Sequence, residues 1–222
     1  TGQTALFTGV NAPARLGKHL TAYPNAQLRE IIAGHSILKQ AIELGRRATL
    51  ANAYSDLYWR LVAQGRRRHS ASTLTNMAAG LPFRDFRDLV RGEAVYWDIT
   101  HSTLPLRHGL RLPYRHPKEA GRILAHLGCQ HDLVLFESFL PDMVGHRRIP
   151  HTPRWIVYVL DAFLQGVVSA MREGDTLVIS SDHGNFEDLR MRLHTENPVP
   201  LIVAGPAAGR VARAAPHTHQ HP

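Results

Sequence analysis

Residues 132–146 read DLVLFESFLPDMVGH, and the reading of this stretch decides the fold class. Asp132 to Glu137 form a compact apolar run of the kind expected for a strand buried on both faces. The run leads into Pro141-Asp142-Met143-Val144-Gly145-His146, where Asp142 and His146 stand four apart, so one helical turn or a tight loop can aim both at one point. Downstream, Thr152-Pro153 is a helix entry, with Thr152 as N-cap and Pro153 at the first helical position, and the apolar pattern continues to Met171. Glu173-Gly174-Asp175 stops that helix. Thr176 to Ser180 then reads as a second buried strand that delivers Asp182 and His183 at its end, and Val199 to Ala204 reads as a third just after His194. Such alternation predicts an α/β fold, a mostly parallel sheet flanked by helices, in which ligands gather beyond the carboxyl ends of the strands.

On the N-terminal side, Thr1 to Gly9 reads as a loop entering a short helix. From Gln27 to Leu44, apolar residues recur near helical spacing and Gly45 follows as a stop, and Arg47 to Ala53 has the look of a short strand. Residues 55–130 are richer in Arg, Gly, Pro and His, with short apolar runs such as Ala94 to Ile99, and are assigned to a small inserted cap. The expected organisation is a discontinuous core of residues 1–54 and 131–205, the cap, and a tail. That tail, 206–222, is Ala-, Pro- and His-rich, with His217, His219 and His221 alternating and no core-forming pattern, and is expected to be disordered.

The composition suits one sizeable domain with a subdomain: 222 residues, 44% hydrophobic and 20% charged. No stretch approaches the roughly 18 uninterrupted apolar residues of a membrane helix, since Trp155 to Met171 is broken by Asp161 and Gln165. Cys129 is the only cysteine, which excludes an internal disulfide and a cysteine-built zinc site and fits a reducing cytoplasm. The chain begins with Thr1 rather than Met and is expected to be part of a longer one. The net charge of +8 comes mostly from arginine, with lysine only at Lys18, Lys39 and Lys118. Arginine's planar fork suits phosphate and carboxylate oxygens. No nucleic-acid motif accompanies the charge, and Gly65-Arg66-Arg67-Arg68-His69 is an isolated cluster, so a small anionic substrate is the more useful reading.

Hard divalent metals prefer carboxylate oxygens and imidazole nitrogens, and a metal pair needs about six protein ligands from separate strand ends. Asp142 with His146, Asp182 with His183 ahead of the Gly184-Asn185 turn, and His194 ahead of Asn197-Pro198-Val199-Pro200 supply such a set. Alone, an Asp-x-x-x-His pair is ordinarily a surface helix pair and an Asp-His-Gly only a turn. In this order and at strand ends they point together to a metal centre.

These three motifs in series resemble the alkaline phosphatase superfamily, and within it the metalloenzyme branch of cofactor-independent phosphoglycerate mutase and phosphopentomutase. The resemblance covers most of the chain outside the cap. It implies that Asp142, His146 and His194 hold one divalent cation, and that Asp182, His183 and a nucleophilic hydroxyl hold another, Mn²⁺, Zn²⁺ or Mg²⁺. The spacing to Gly9 matches the nucleophile to Thr1, with Thr4 as the fallback. An N-terminal aspartate of the family has no counterpart here, and the helix expected after Ala204 is replaced by the Ala/Pro/His tail. The implied activity is phosphoryl transfer on a small phosphorylated substrate, as a hydrolase or an isomerase of the mutase type. The alternatives are a truncated or inactive metal-binding member and a basic nucleic-acid-binding protein.

Glu187 and Asp188 follow the Asp-His turn and could orient the ligands. Arg84, Arg87 and Arg91 recur at helical spacing and could clamp phosphate, although a solvated helix face is the plainer reading. Trp155 reads as core.

Overall fold

The computed structural model describes residues 1–190 and 193–214. The chain opens with α1 (Gly2–Thr8), α2 (Ala12–Leu16), α3 (Ala26–His35) and α4 (Ile37–Glu43), followed by β1 (Ala48–Leu50) and β2 (Ala53–Tyr54). Next come α5 (Asp56–Ala63), α6 (Ala71–Ala78), β3 (Arg84–Asp85), α7 (Phe86–Arg91), α8 (Leu104–His108) and α9 (Pro117–Gln130). The remainder is β4 (Leu133–Leu135), α10 (Leu140–Gly145), α11 (Pro153–Ala170), β5 (Leu177–Ser180), β6 (Leu201–Ala204) and α12 (Ala208–Ala214).

The class is α/β, with parallel strands and flanking helices. β1 and β4 run parallel in the register Ala48↔Leu133 to Leu50↔Leu135, and β2 and β3 are also parallel. β6 differs from the parallel expectation, because it pairs antiparallel with β5, from Leu177↔Ala204 to Ser180↔Leu201. The reason is topological. A parallel partner needs a crossover, usually helical, and the described part of the connection from Ser181 to Pro200 contains no helix. Nor are the two strands ahead of the motifs fully enclosed. Leu133 to Leu135 are partly exposed, and Val178 keeps 54% of its surface.

α11 begins as its sequence indicates, with the Thr152 side chain accepting from Trp155 N at 3.2 Å and Pro153 in the first turn. Its partner is α9, at backbone-to-backbone distance. A Cβ added to Gly121 would lie 2.0 Å from the Phe163 carbonyl oxygen, and one added to Gly166 would lie 2.1 Å from that of Lys118. Val95, Ile99 and Ala120 share one core with Leu140, Ile156, Val159 and Phe163. Each large aliphatic residue buried there contributes about 1.5–3 kcal/mol. Within segment 55–130, its last helix and the Val95–Ile99 run complete the core against which α10 and α11 pack.

Three other expectations are corrected. The helix over Gln27–Leu44 is two helices, broken at Ser36, whose buried hydroxyl caps α4 through Lys39 N and donates to the Thr75 carbonyl at 2.8 Å. The strand over Arg47–Ala53 is split into β1 and β2. The expected tail contains α12, an alanine-rich helix anchored where Ala207 N donates to Thr176 Oγ1. His217, His219 and His221 lie outside the described residues. No described helix is long and apolar enough to cross a membrane.

Candidate metal centre

α10 carries Asp142 in its first turn and ends at His146, its C-cap, and the flanking Leu140 and Val144 are buried in the core. Apolar burial thus fixes the side from which Asp142 and His146 project. His146 Nε2 lies 3.1 Å from Asp142 Oδ1. Around the same carboxylate oxygen stand His183 Nε2 at 3.8 Å and His194 Nε2 at 4.0 Å, with Asp182 Oδ2 3.4 Å from His183 Nε2. All three candidate ligand atoms of Asp142, His146 and His194 fall within 4.8 Å of one another. One carboxylate and two imidazoles within that span suit a divalent ion such as Zn²⁺ or Mn²⁺.

The electrostatics agree with that use. The rings of His183 and His194 stack with centroids 3.5 Å apart and planes 13° apart, an arrangement two imidazolium ions would oppose. Burial first, and the neighbouring His183 second, push the His194 imidazole down to about 4, so it is neutral at physiological pH. Its Nδ1 is buried with no hydrogen-bond partner among the described residues. Asp182 has its pKa raised by burial, with Asp142 nearby adding to the effect.

The loop after β5 is shaped by close approaches. Gly184 forms a bridge with Thr195, which returns the chain so that His194 stacks on His183. A Cβ on Gly184 would sit 2.1 Å from Thr195 Oγ1, and one on Gly145 1.6 Å from Asn185 Oδ1. Glu187 binds the loop together, accepting from Asn185 N at 2.7 Å, from Asn197 Nδ2 at 2.9 Å and from Thr195 Oγ1. Those hydrogen bonds, that of Thr195 first, hold its carboxyl down at about 2. Asp188 instead pairs with the exposed Arg190.

Thr1 is adjacent to this loop, because Gly2 packs where a Cβ would lie 2.0 Å from the Asp182 carbonyl oxygen. Thr1 Oγ1 shares a 2.9 Å hydrogen bond with His19 Nδ1. The His19 ring meets that of His194 edge-on at 5.7 Å, and burial lowers its pKa. His19 went unnoticed because Gly17-Lys18-His19 reads as a connecting loop with no periodicity. Thr4 is 1% exposed inside α1.

The arginines are not brought to this cluster. Arg84 lies on β3 rather than on a helix with the other two, and donates to the Glu93 carbonyl at 2.6 Å and to Thr49 Oγ1 at 3.2 Å. Arg91 pairs with Asp88 and Glu93. Trp155 packs on the core, with its ring 4.1 Å from that of His151. Beside His146, an open cavity of about 670 Å³ is lined by Arg147, Glu187, Asp188, Leu189, Arg190 and Asn197.

Residues 119–219 match the family described as the Metalloenzyme superfamily. The 2,3-bisphosphoglycerate-independent phosphoglycerate mutase of Desulforudis audaxviator is 37% identical over 92 residues, 38% of this chain and 18% of the relative. That of Acetivibrio thermocellus is 35% identical over 100 residues, 39% of this chain and 20% of the relative. For the enzyme of the same name from Cereibacter sphaeroides the values are 33% over 114 residues, 45% and 22%. The chain spans about a fifth of the length of these curated relatives. No solved structure matches. The segment that carries Asp142, His146, Asp182, His183 and His194 thus lies within the residues that match the Metalloenzyme superfamily, and the chain is similar over part of its length to 2,3-bisphosphoglycerate-independent phosphoglycerate mutases.

Proposed function

We propose that this chain performs metal-dependent phosphoryl transfer on a small phosphorylated substrate, with Thr1 as nucleophile and two divalent cations. The observation that carries the reading is the convergence of Asp142, His146 and His194 within one ion's reach, beside Asp182, His183 and Thr1. Asp142, His146 and His194 would hold one cation, and Asp182, His183 and the Thr1 hydroxyl a second. Divalent cations bound there supply Lewis acidity toward phosphoryl oxygens and favour the ionised hydroxyl. The His19 ring, hydrogen-bonded to Thr1 Oγ1 and with its neutral form favoured by burial, accepts the hydroxyl proton as the oxygen attacks phosphorus. The ester P–O bond breaks, the alcohol leaves with a proton, and water then cleaves the phosphothreonine to release phosphate. Glu187, through Thr195, keeps His194 facing Asp142.

Hydrolysis is favoured over mutase chemistry. A mutase must retain and reorient its phosphorylated substrate inside a closing enclosure. The arginines that could line one, Arg84 and Arg91, are engaged with Glu93, Thr49 and Asp88. The test has two parts. Elemental analysis after dialysis should find a divalent ion that is lost in His146→Ala and in His194→Ala, and metal-dependent hydrolysis of a generic phosphate ester should exceed phosphoglycerate interconversion. Unchanged metal content in both variants would overturn the site. Efficient interconversion with negligible hydrolysis would overturn the preference for hydrolysis.

A further inference from the structure

Close to the ligands lies a third carboxylate, Glu137, the residue that closes the apolar run Asp132–Glu137. Its backbone is gripped on both sides by one side chain, since Asn52 Nδ2 donates to the Glu137 carbonyl at 2.7 Å and Asn52 Oδ1 accepts from Glu137 N at 2.9 Å. Its carboxylate is equally engaged, with Oε1 accepting from Gln3 Nε2 and Oε2 from Ser72 Oγ, each at 2.5 Å. Ser72 and Asn52 are themselves 3% and 7% exposed. One residue thus joins α1, α6, the β1–β2 connection and the end of β4. Burial raises its carboxyl pKa to about 7, and the fields of Asp182 and Asp142 contribute, which puts the group within electrostatic reach of both ligands.

Each oxygen of this carboxylate accepts a short hydrogen bond, one from α1 and one from α6. It has the geometry of a tie. Gln3, in the first turn of α1, is two residues from Thr1, the N-cap of that helix, and Glu137 is five residues before Asp142 on the chain that enters α10. We propose that Glu137 is a positioning residue which, through Gln3, sets Thr1 against the end of β4 and hence against Asp142. The proposal rests on Thr1 being the nucleophile. A displacement of about 1 Å at a reacting atom can cost up to a hundredfold in rate, so the tie acts on turnover more than on substrate affinity.

The experiment measures kcat and KM of the Mn²⁺-loaded full chain with p-nitrophenyl phosphate. It compares the wild type, Glu137→Gln, Gln3→Ala, their double variant, and the exchanged pair Gln3→Glu with Glu137→Gln. Each single change should lower kcat by about tenfold or more with KM within about twofold, and the double variant should be no worse than the poorer single one. The exchanged pair keeps an amide facing a carboxylate and should recover most of kcat. Unaltered kcat in the single variants, or losses that simply multiply in the double, would overturn the proposal. If Glu137→Gln does not fold, Ser72→Ala takes its place and should lower kcat in the same direction. If the wild type shows no hydrolysis, the functional reading above fails on its own. The tie is then read from amide exchange, where Glu137→Gln should accelerate exchange in α1 by about tenfold while leaving α11 unchanged. Equal exchange in α1 would dismiss it.

Discussion

Asp142 and His146 stand on a helix whose Leu140 and Val144 are 0% and 5% exposed, whereas Asp182 and His183 follow a strand whose Val178 is 54% exposed, paired with β6, whose Ile202 is 53% exposed. The first pair is held by apolar packing against α11 and, through it, α9. The second pair, with His194, is held by the Gly184–Thr195 bridge, the Glu187 hydrogen bonds and the seating of Asn185 on Gly145. The candidate metal centre is therefore assembled from a half whose position follows from hydrophobic burial and a half whose position follows from polar geometry. The two halves should fail under different insults.

The largest effect belongs to the packed half. Gly166→Val places atoms where even a Cβ meets the Lys118 carbonyl at 2.1 Å, an approach that backbone cannot relieve without parting α9 from α11. Overpacking of this kind costs about 3 kcal/mol or more, a fall of roughly 10 °C in melting temperature for a chain of this size. Leu140→Ala should cost about 2–5 kcal/mol by leaving a cavity beneath α10. Thermal melts check both. A Gly166→Val variant that melts with the wild type would mean that the α9–α11 contact is not what supports Asp142.

A smaller loss of stability but a selective loss of metal is expected in the polar half. Gly184→Ala pushes on Thr195 Oγ1 and Glu187 Oε1, which are side-chain ends able to move, so the global cost should stay near 1–2 kcal/mol. The loop that carries His194 shifts with them. Metal affinity should fall by about tenfold to a hundredfold, as it does when a group that orients a ligand is lost. Calorimetric titration with Mn²⁺ measures this, and undiminished affinity would break the assignment of Gly184 to the positioning of the centre.

How much of this was readable from residues alone follows the same division. Asp142 with His146, and Thr152 with Pro153, are local signals, a four-residue spacing and a capping dipeptide, and they appear as read. Glu137 looked like the tail of an apolar strand, since nothing local reveals that Gln3 and Ser72 would reach it from α1 and α6. The break at Ser36 depends likewise on a distant partner, the Thr75 carbonyl. The antiparallel pairing of β6 was hidden for another reason. A short apolar run such as Leu201–Ala204 carries no mark of direction, which is set by the return from Ser181 to Pro200, whose described part contains no helix. Arg84, Arg87 and Arg91 illustrate a spacing that fits a helix while the backbone at Arg84 is extended.

The mildest expected effect is a pH dependence confined to the polar half. In the folded chain Glu187 has its carboxyl held near 2 by Thr195, Asn197 and the Asn185 amide, below the ordinary carboxylate value of 4.5. A group depressed in this way adds stability that is fully present above the unfolded value and is withdrawn as the pH falls through 4.5 toward 2. Glu187 is largely solvent-exposed, so water and salt screen much of the gain, and the global melting temperature should hardly register it. Local opening should register it. Amide exchange of residues 184–190 and 193–197 should rise between about pH 4.5 and pH 2 relative to α11, and Glu187→Gln should show the faster exchange already at pH 7 with little further change on acidification. Asp188, also held near 2 but by the exposed Arg190, provides the contrast within the same loop, because Asp188→Asn removes a surface pair and leaves the Thr195 and Asn185 hydrogen bonds standing. If the two variants loosen residues 193–197 equally, the loop is held by its net charge rather than by the Glu187 hydrogen bonds, and the division between the packed and polar halves would have to be redrawn on electrostatic lines.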